Sequence, residues 1–249
     1  MARAATKRKK TAPRRGKAKA RPSPLRRLTA WLRRWSARVV FGAAFLVLAV
    51  VLALRVVPPP TTQTIWSESR RLGGVDHAWV PIDRVAPVMV RAVVAAEDAN
   101  FCLHWGFDMN AIRDAIEEGG QRGASTITQQ TVKNVFLWQG RNWTRKALEA
   151  GLTPLVEALW PKRRILEIYL NIAEWDEGVF GIEAAAGRYF GVGPEALTPA
   201  QAAALAAILP DPKGRDAANL SGWLTRRARQ IEDGAATIRA DGRAACFES

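Results

Sequence analysis

Cysteine and histidine are scarce in this chain of 249 residues, which contains two of each. Cys102 and Cys246 lie far apart in the sequence and lack the spacing of metal ligands, so no disulfide framework is indicated and we expect two unpaired thiols. His77 and His104 are too few for a histidine-rich metal centre. The scarcity of both residue types argues against a zinc-binding or disulfide-stapled domain.

Acidic residues are absent from the N-terminal part of the chain, and the first of them is Glu68. Residues 1–38 carry fifteen of the 37 lysines and arginines, while the remaining 22 are balanced by 23 acidic residues. A basic segment of such low complexity is predicted to be largely disordered. Because a nucleic-acid-binding domain needs a basic face on its folded part, we expect no nucleic-acid partner.

An apolar run without a charge covers residues 39–54 and ends at Arg55, shortly before three consecutive prolines at 58–60. A membrane-crossing helix needs roughly 20 apolar residues, and a terminal arginine can extend a slightly short one by reaching the headgroups. A cleaved signal peptide fits less well because no small-residue cleavage site follows, and a buried core helix would carry a polar stripe. We therefore predict a single transmembrane anchor at residues 39–57.

The charge asymmetry around this anchor predicts its orientation in the inner membrane. Segments rich in lysine and arginine stay in the cytoplasm, so the N-terminus is predicted to be cytoplasmic and everything after Pro58 to lie outside the cytoplasm. Residues 22–38 are predicted to form a basic helix on anionic lipid headgroups. The predicted organisation is a basic tail at 1–38, the anchor at 39–57, a linker at 58–75 and a folded domain at 76–249.

The folded domain shows helical spacing of its apolar residues and no sustained alternation of period two. Residues 87–101 are predicted to form one helix, and Asp108 is predicted to cap another. Thr126 and Thr198 are each followed three residues later by glutamine, which is the pattern of a capping box. The helix after Thr126 is predicted to end near Phe136, and Thr144 to open the next one. These features predict a mostly α fold.

Glu97 is notable because it continues an apolar stripe. Val90, Val94 and Glu97 are spaced i, i+4, i+7, so the carboxylate projects from the apolar face of its helix. Partial burial raises the pKa of a carboxyl group toward the range that suits a general base. The alternative is an ordinary surface glutamate near a helix end.

A second unusual face follows Thr126. Thr126, Gln130, Lys133 and Asn134 form a polar stripe without an acidic residue, which suits a sugar that carries phosphates. A plain solvated face is the alternative.

Arg145 and Glu149 have the spacing of an i, i+4 ion pair, which is ordinary by itself. Two carboxylates together with a lysine and an arginine could nevertheless build a glycosyl-transfer site. One carboxylate takes the proton of the attacking hydroxyl group, and the cations stabilise the departing phosphate.

Five segments, in this order, resemble the motifs of the peptidoglycan glycosyltransferases. They are EDANFCLHWGFD at 97–108, GASTITQQTVKN at 123–134, RKALE at 145–149, RILEIYLN at 164–171 with glycines and aromatic residues up to 191, and LTPAQ at 197–201 with Pro210. The resemblance implies a lysozyme-like helical head with a smaller membrane-proximal lobe. It also implies polymerisation of lipid II into β-1,4-linked glycan with release of undecaprenyl diphosphate. Because the sequence ends at Ser249, the monofunctional biosynthetic enzyme, without a transpeptidase domain, is the expected type.

The resemblance also implies roles for individual residues. Glu97 would be the general base that activates the acceptor's 4-hydroxyl group in an inverting reaction, and Glu149 would assist at the donor site. The implied substrate-binding residues are Asp98, Thr126, Gln130, Lys133, Asn134 and Arg145. Lys133 and Arg145 would hold the diphosphate. No cofactor is required by this scheme, although it leaves room for a divalent cation at Glu149. The lone His104 is expected either to shape the cleft or to serve packing alone.

Two positions depart from the family's pattern. Ala124 stands where a second glycine is common. Pro154 follows Glu149 within the same predicted helix and is expected to bend it, because proline removes the bond to the Ala150 carbonyl. The pose of Glu149 is the feature that this bend would alter.

Two other functions fit parts of the sequence: a membrane-bound glycan hydrolase with the same two carboxylates, and a non-enzymatic scaffold of the division or elongation machinery. The expected partners are lipid II, the growing glycan chain, the inner membrane and other cell-wall synthesis or division proteins.

Overall fold

The computed structural model describes residues 24–119, 123–140 and 142–248. This part of the chain is mostly helical, which confirms the predicted fold class. Its helices are α1 Pro24–Leu54, α2 Gln63–Leu72, α3 Pro87–Glu97, α4 Met109–Glu117, α5 Ile127–Phe136, α6 Trp143–Leu159, α7 Lys162–Ile172, α8 Ile182–Phe190, α9 Pro199–Ile208, α10 Gly222–Ala240 and α11 Ala245–Glu248. The strands are β1 Asp76–His77, β2 Glu174–Asp176 and β3 Val179–Phe180, and short 3₁₀ turns cover Ile82–Arg84, Phe101–Leu103 and Pro194–Ala196.

Helix α1 includes a segment, Trp31–Leu54, that is long and apolar enough to cross a membrane, with a mean hydropathy of 2.5. Residues 24–38, where the sequence predicted a basic helix within a largely disordered tail, are helical and continuous with the apolar segment in α1. The tail predicted at 1–38 lies outside the described residues up to position 23. Two compact units divide at Leu48, and all elements after α1 belong to the second. Helix α2 lies within the stretch predicted as a linker.

The C-terminal end of α1 is fastened within the second unit. Trp160 donates a hydrogen bond through Nε1 to the Val51 carbonyl at 2.7 Å. Arg164 donates through Nε to the Leu54 carbonyl at 3.1 Å and through Nη2 to the Val57 carbonyl at 2.8 Å. The last carbonyls of a helix lack partners within the helix, and a cation is favourable there. Arg164, which opens the fourth sequence motif, therefore serves the structure.

Helix α9 lies at the centre of the core, where it contacts α3 and α10. Residues 202–208 are all buried, as expected for a helix that is apolar on every side. Its start is the predicted capping box: the Gln201 amide donates to the Thr198 hydroxyl, and the Thr198 amide donates to the Gln201 side chain. On the other side of the domain, α5 contacts both α6 and α7.

The strands form one small sheet in the order β1-β3-β2, in which β1 is parallel and β2 antiparallel to β3. Next to it the buried Asn171 side chain exchanges two hydrogen bonds of 2.8 Å with the backbone of Val80. Gly181 has a φ of +83°, and a Cβ atom there would lie 2.9 Å from the Asn171 carbonyl oxygen. These fourth-motif residues join the sheet region to α7.

The helix caps that the sequence predicted at Thr126 and Asp108 are confirmed. Thr126 makes the predicted capping box at the start of α5, and Asp108 caps α4 by accepting from two backbone amides. The prediction that Thr144 opens α6 is wrong. Asn142 is the cap there, and its Oδ1 accepts from the Arg145 amide at 2.7 Å.

The two cysteines form a disulfide bond, so the prediction of unpaired thiols is wrong. The Cα atoms of Cys102 and Cys246 lie 5.7 Å apart although 144 residues separate them in sequence. Cys102 belongs to the 3₁₀ turn after α3, and Cys246 belongs to α11. The fold brings the C-terminal helix onto this turn, and such a tertiary approach leaves no trace in cysteine spacing.

Candidate active site

Glu97 is the last residue of α3. Val90 and Val94 are buried in the core, as the apolar stripe predicted, and the partly buried Glu97 carboxylate continues the same face. The helix ends because Asp98 adopts φ −162° and ψ 68°, outside the helical region. The prediction that this helix extends to Phe101 is therefore wrong. The chain turns immediately after Glu97.

Among the described residues, the side-chain amide of Gln130 is the hydrogen-bond partner of the Glu97 carboxylate. Gln130 Nε2 donates to Glu97 Oε2 at 2.9 Å, and the buried Tyr169 hydroxyl donates to Gln130 Oε1 at 3.3 Å, which orients the amide. Burial raises the pKa of Glu97 above its usual range, whereas the Gln130 hydrogen bond and the nearby Arg227 charge act in the opposite direction. The result is a carboxylate with an increased affinity for a proton.

Asp98 connects the first motif to the second. The buried carboxylate accepts through Oδ1 from His104 Nε2 at 2.8 Å and through Oδ2 from the Ile127 amide at 3.0 Å. The sequence placed Asp98 among the substrate-binding residues, but both of its oxygens bond to protein groups. It holds the end of α3 against the start of α5, and so keeps Glu97 close to Gln130.

Thr126 joins the start of α5 to the segment before α4. Its hydroxyl group donates to the Gly106 carbonyl at 2.7 Å and accepts from the Gln129 amide at 3.2 Å. Gly106 has a φ of +79°, and a Cβ atom there would come within 2.4 Å of Thr153 Cγ2. Because the Thr126 side chain is buried, its contribution to the site is to position α5.

Lys133 lies one turn beyond Gln130 on α5 and is half-buried. Burial lowers the pKa of its ammonium group, while the negative charges of Glu149 and Glu97 raise it. The positive charge of Lys133 therefore interacts with both carboxylates of the site. Asn134, the next residue of the predicted stripe, accepts from Gln139 Nε2 at 3.3 Å.

Glu149 is buried beside two cations. Arg145 Nη1 lies 2.7 Å from one carboxylate oxygen and Lys146 Nζ lies 2.5 Å from the other. Arg145 also donates through Nε to the Gly140 carbonyl at 2.8 Å, which fixes the direction of the guanidinium group. The pairing with Arg145 was expected. Lys146 was not singled out, although its i, i+3 spacing to Glu149 was visible in the sequence.

Helix α6 continues through Pro154 from Trp143 to Leu159. The Thr153 hydroxyl donates to the Glu149 carbonyl at 2.7 Å, one residue before the proline. The contact between Glu149 and Arg145 persists, so Pro154 does not separate the two residues.

Arg227 is a second residue that the sequence interpretation missed. It lies on α10, outside the five motifs, and donates through Nη2 to the Ala96 carbonyl at 3.1 Å. Its positive charge lowers the pKa of Glu97, against the effect of burial. No sequence signal could have indicated it, because the contact joins residues 131 positions apart.

One group in the described part of the chain has the spacing of metal ligands: atoms of Asp98, His104 and Asp108 lie within 4.8 Å of one another. These carboxylates already accept hydrogen bonds, Asp98 from His104 and Asp108 from Asn100 Nδ2 at 2.9 Å. At Glu149, where the sequence left room for a divalent cation, Arg145 and Lys146 contact one carboxylate oxygen each.

The arrangement has the chemistry of group transfer from a phosphate leaving group. Glu97 can accept a proton, and the cations Lys133, Arg145 and Lys146 can stabilise negative charge that develops on the leaving group. The base and the cations lie on three helices, α3, α5 and α6. The Asp98 contact joins α3 to α5, and α5 packs against α6.

Comparison with known proteins agrees with this chemistry. The sequence profile of the Transglycosylase family matches residues 66–235. A biosynthetic peptidoglycan transglycosylase of Jannaschia sp. (strain CCS1) is 59% identical over 231 residues, covering 93% of this chain and 97% of the relative. Proteins of the same name from Rhodospirillum centenum and Pseudomonas fluorescens (strain SBW25) are each 47% identical, covering 87% and 78% of this chain and 95% and 85% of the relatives.

The chain belongs to the transglycosylase family, and it is therefore a glycosyltransferase.

Proposed function

We propose that this enzyme polymerises lipid II into β-1,4-linked peptidoglycan strands and releases undecaprenyl diphosphate. The observation that carries the proposal is the contrast within one site between Glu97, whose pKa burial raises, and the cations Lys133, Arg145 and Lys146. A lipid-linked diphosphate needs such cations, and an attacking sugar hydroxyl needs such a base. The names of the relatives, biosynthetic peptidoglycan transglycosylases, support the same substrate.

In this mechanism the 4-hydroxyl oxygen of the acceptor sugar attacks C1 of the donor sugar from the side opposite the diphosphate. Its proton passes to the Glu97 carboxylate. The bond between C1 and the diphosphate oxygen breaks, and the electron pair leaves with the diphosphate, so the configuration at C1 inverts. Lys133 and Arg145 stabilise the charge on the departing diphosphate, while Glu149 holds Arg145 and Lys146 in position. A divalent cation, if one participates, binds with the diphosphate.

The anchor and the basic tail support an orientation in which the N-terminus is cytoplasmic and the catalytic part faces the periplasm. The Cys102–Cys246 disulfide supports it as well, because disulfides persist mainly outside the cytoplasm. In intact spheroplasts treated with a dithiol, a membrane-impermeant maleimide is expected to label both cysteines. Labelling that requires permeabilised membranes would overturn the orientation.

The growing glycan strand and the inner membrane are the other partners we propose. Other cell-wall synthesis or division proteins complete the proposal as transient partners, and no nucleic-acid partner is included. The basic tail is assigned to anionic lipid because it adjoins the anchor.

A lytic enzyme is the rival that the same pair of carboxylates permits. The cations around Glu149 favour a phosphate-bearing donor, since hydrolysis of a sugar–sugar bond has no diphosphate to stabilise. The test is incubation of the full chain in detergent with radiolabelled lipid II, followed by gel separation and mass analysis of the products. Long glycan strands and free undecaprenyl diphosphate are expected. Short soluble fragments released from preformed glycan, with lipid II left unchanged, would contradict the proposal.

A further inference from the structure

The turn that follows Glu97 is held by the C-terminal end of the chain. Three features make this contact: Arg227 on α10, Arg243 in the turn before α11, and the disulfide between Cys102 and Cys246. We call these the C-terminal clamp. All three act on residues 96–102, the segment that contains Glu97.

The two arginines bond to carbonyl oxygens on either side of Glu97. Arg227 donates to the Ala96 carbonyl at 3.1 Å, and Arg243 donates through Nη1 to the Ala99 carbonyl at 3.0 Å. Carbonyls at a helix C-terminus lack helical partners, and cations bind there favourably. The two arginines therefore fix the backbone one residue before and two residues after Glu97, the proposed base.

Contacts of helix α11 with the rest of the domain fix the position of Cys246. The Phe247 side chain is buried, with 1% exposure, and its carbonyl accepts from Arg163 Nη1 at 2.9 Å. The Glu248 carboxylate pairs with Arg91 of α3. Cys246 is thus held in place by its neighbours on both sides, and it transmits that position to Cys102, five residues after Glu97.

The clamp acts on a short segment in which a small displacement matters. Residues 98–101 link Glu97 to the disulfide, and they include Asp98, which joins α3 to α5. Release of the covalent link restores conformational freedom to this turn. Proton transfer tolerates little displacement of the base, since a shift of about 1 Å can cost up to about 100-fold in rate.

We propose that the C-terminal clamp positions Glu97 for proton transfer and that reduction of the Cys102–Cys246 bond lowers turnover, an inference that rests on the proposed lipid II polymerisation. Both cysteines are half-buried and not fully enclosed by the core. In the reduction one dithiol supplies two electrons and two protons. It becomes a disulfide itself and leaves two cysteine thiols on the enzyme. A periplasmic protein dithiol is the class of reductant that fits the proposed location.

The test compares the full chain in detergent, oxidised and after treatment with dithiothreitol, in lipid II polymerisation. The chain has only two cysteines, so a change caused by the reductant acts through this bond. A Cys102→Ser/Cys246→Ser variant mimics the reduced state and serves as its own control for the reductant. kcat, KM and the acid limb of the pH–rate profile are measured, with circular dichroism and thermal unfolding to follow the folded fraction.

We expect reduction to lower kcat by about tenfold with little change in KM. The acid limb of the pH–rate profile should also move, while the folded fraction at the assay temperature stays constant. The double serine variant should have the kcat of the reduced enzyme and should not respond to dithiothreitol. Reoxidation of the reduced wild-type enzyme should restore its kcat. Equal kcat and acid limb in both redox states would overturn the inference, as would a loss of activity that merely follows the folded fraction. Failure of the proposed function is distinguishable, because then the oxidised enzyme forms no glycan at all.

An Arg243→Ala variant separates positioning from the covalent link. It removes the bond to the Ala99 carbonyl and leaves the disulfide in place. A lower kcat with unchanged KM is expected, with partial recovery in Arg243→Lys, which keeps the charge. Wild-type kcat in Arg243→Ala would restrict the clamp to its disulfide and contradict the role given to Arg243.

Discussion

The two buried carboxylates of the site differ in their partners. Glu97 receives one hydrogen bond from a neutral amide, Gln130, and its pKa lies above the usual range because burial dominates. Glu149 is in direct contact with two cations, Arg145 and Lys146. The same type of side chain therefore serves two different purposes in this site. A carboxylate with a neutral partner is ready to take a proton, and one between cations serves to hold them.

The backbone around the two carboxylates differs in the same sense. Glu97 ends a helix and depends on distant parts of the chain, namely α5, α10 and α11, for its position. Glu149 lies in the middle of α6, and both of its partners come from the preceding turn. Proton transfer therefore rests on tertiary contacts, and charge stabilisation rests on local ones.

Replacement of Glu97 by Gln gives the largest expected effect. Glutamine retains the size and can still bond to the amide of Gln130, but it cannot take a proton. Loss of a general base typically costs about 10²–10⁴-fold in rate. We expect kcat for lipid II polymerisation to fall by this amount in a folded variant, as thermal unfolding should show. Wild-type activity in Glu97→Gln would remove Glu97 from the mechanism.

Replacement of Glu149 by Gln should cost less, about 10–100-fold in kcat/KM, because Arg145 and Lys146 lose the anion that orients them. Stability should also fall, by about 1–3 kcal/mol, since charged groups lose their partner. Glu157→Gln is the matched control. Glu157 is a buried carboxylate of the same helix and pairs with Lys162 instead. If both variants lose the same activity, the special role of Glu149 is contradicted.

Replacement of Arg227 by Ala should shift the pH dependence. The positive charge of Arg227 lowers the pKa of Glu97, so its removal favours the protonated carboxyl group and raises that pKa further. The acid limb of kcat/KM should therefore move to higher pH, with a few-fold loss near neutrality. Arg227→Lys keeps the charge and should keep the limb closer to its wild-type place. An unmoved limb in both variants would show that Arg227 does not act on Glu97 electrostatically.

Chelation of divalent cations should have the smallest effect. Lys133, Arg145 and Lys146 already supply positive charge for the diphosphate, so we expect polymerisation to continue in excess EDTA with a modest loss at most. Added Mg²⁺ would then restore only that loss. Complete inactivation by EDTA, reversed by Mg²⁺, would transfer the role of these side chains to a metal ion.

The sequence predicted those parts of the structure that depend on local signals. The capping boxes at Thr126 and Thr198 located two helix starts because both partners lie within four residues. The stripe of Val90 and Val94 placed Glu97 at the edge of the core for the same reason. The cap of α6 was missed because Asn142 precedes the residue that the pattern favoured.

Other features depend on contacts between distant residues, and the sequence could not specify them. The disulfide joins Cys102 to a residue 144 positions away, and Arg227 reaches Ala96 across 131 positions. Even the neutral partner of Glu97 arises only when α5 packs near α3. The sequence likewise did not indicate that Asp98 and Thr126, which it assigned to substrate binding, also hold elements of the fold together.

The most direct measurement is the pH dependence of kcat/KM for lipid II polymerisation, in the wild type and in Glu149→Gln. Activity requires the Glu97 carboxylate to be deprotonated, so it should fall as the pH decreases through a pKa that burial has raised above 4.5. The same acid limb should persist in Glu149→Gln at a lower rate. An acid limb at or below 4.5, or one that disappears with Glu149, would contradict the assignment of Glu97 as the base.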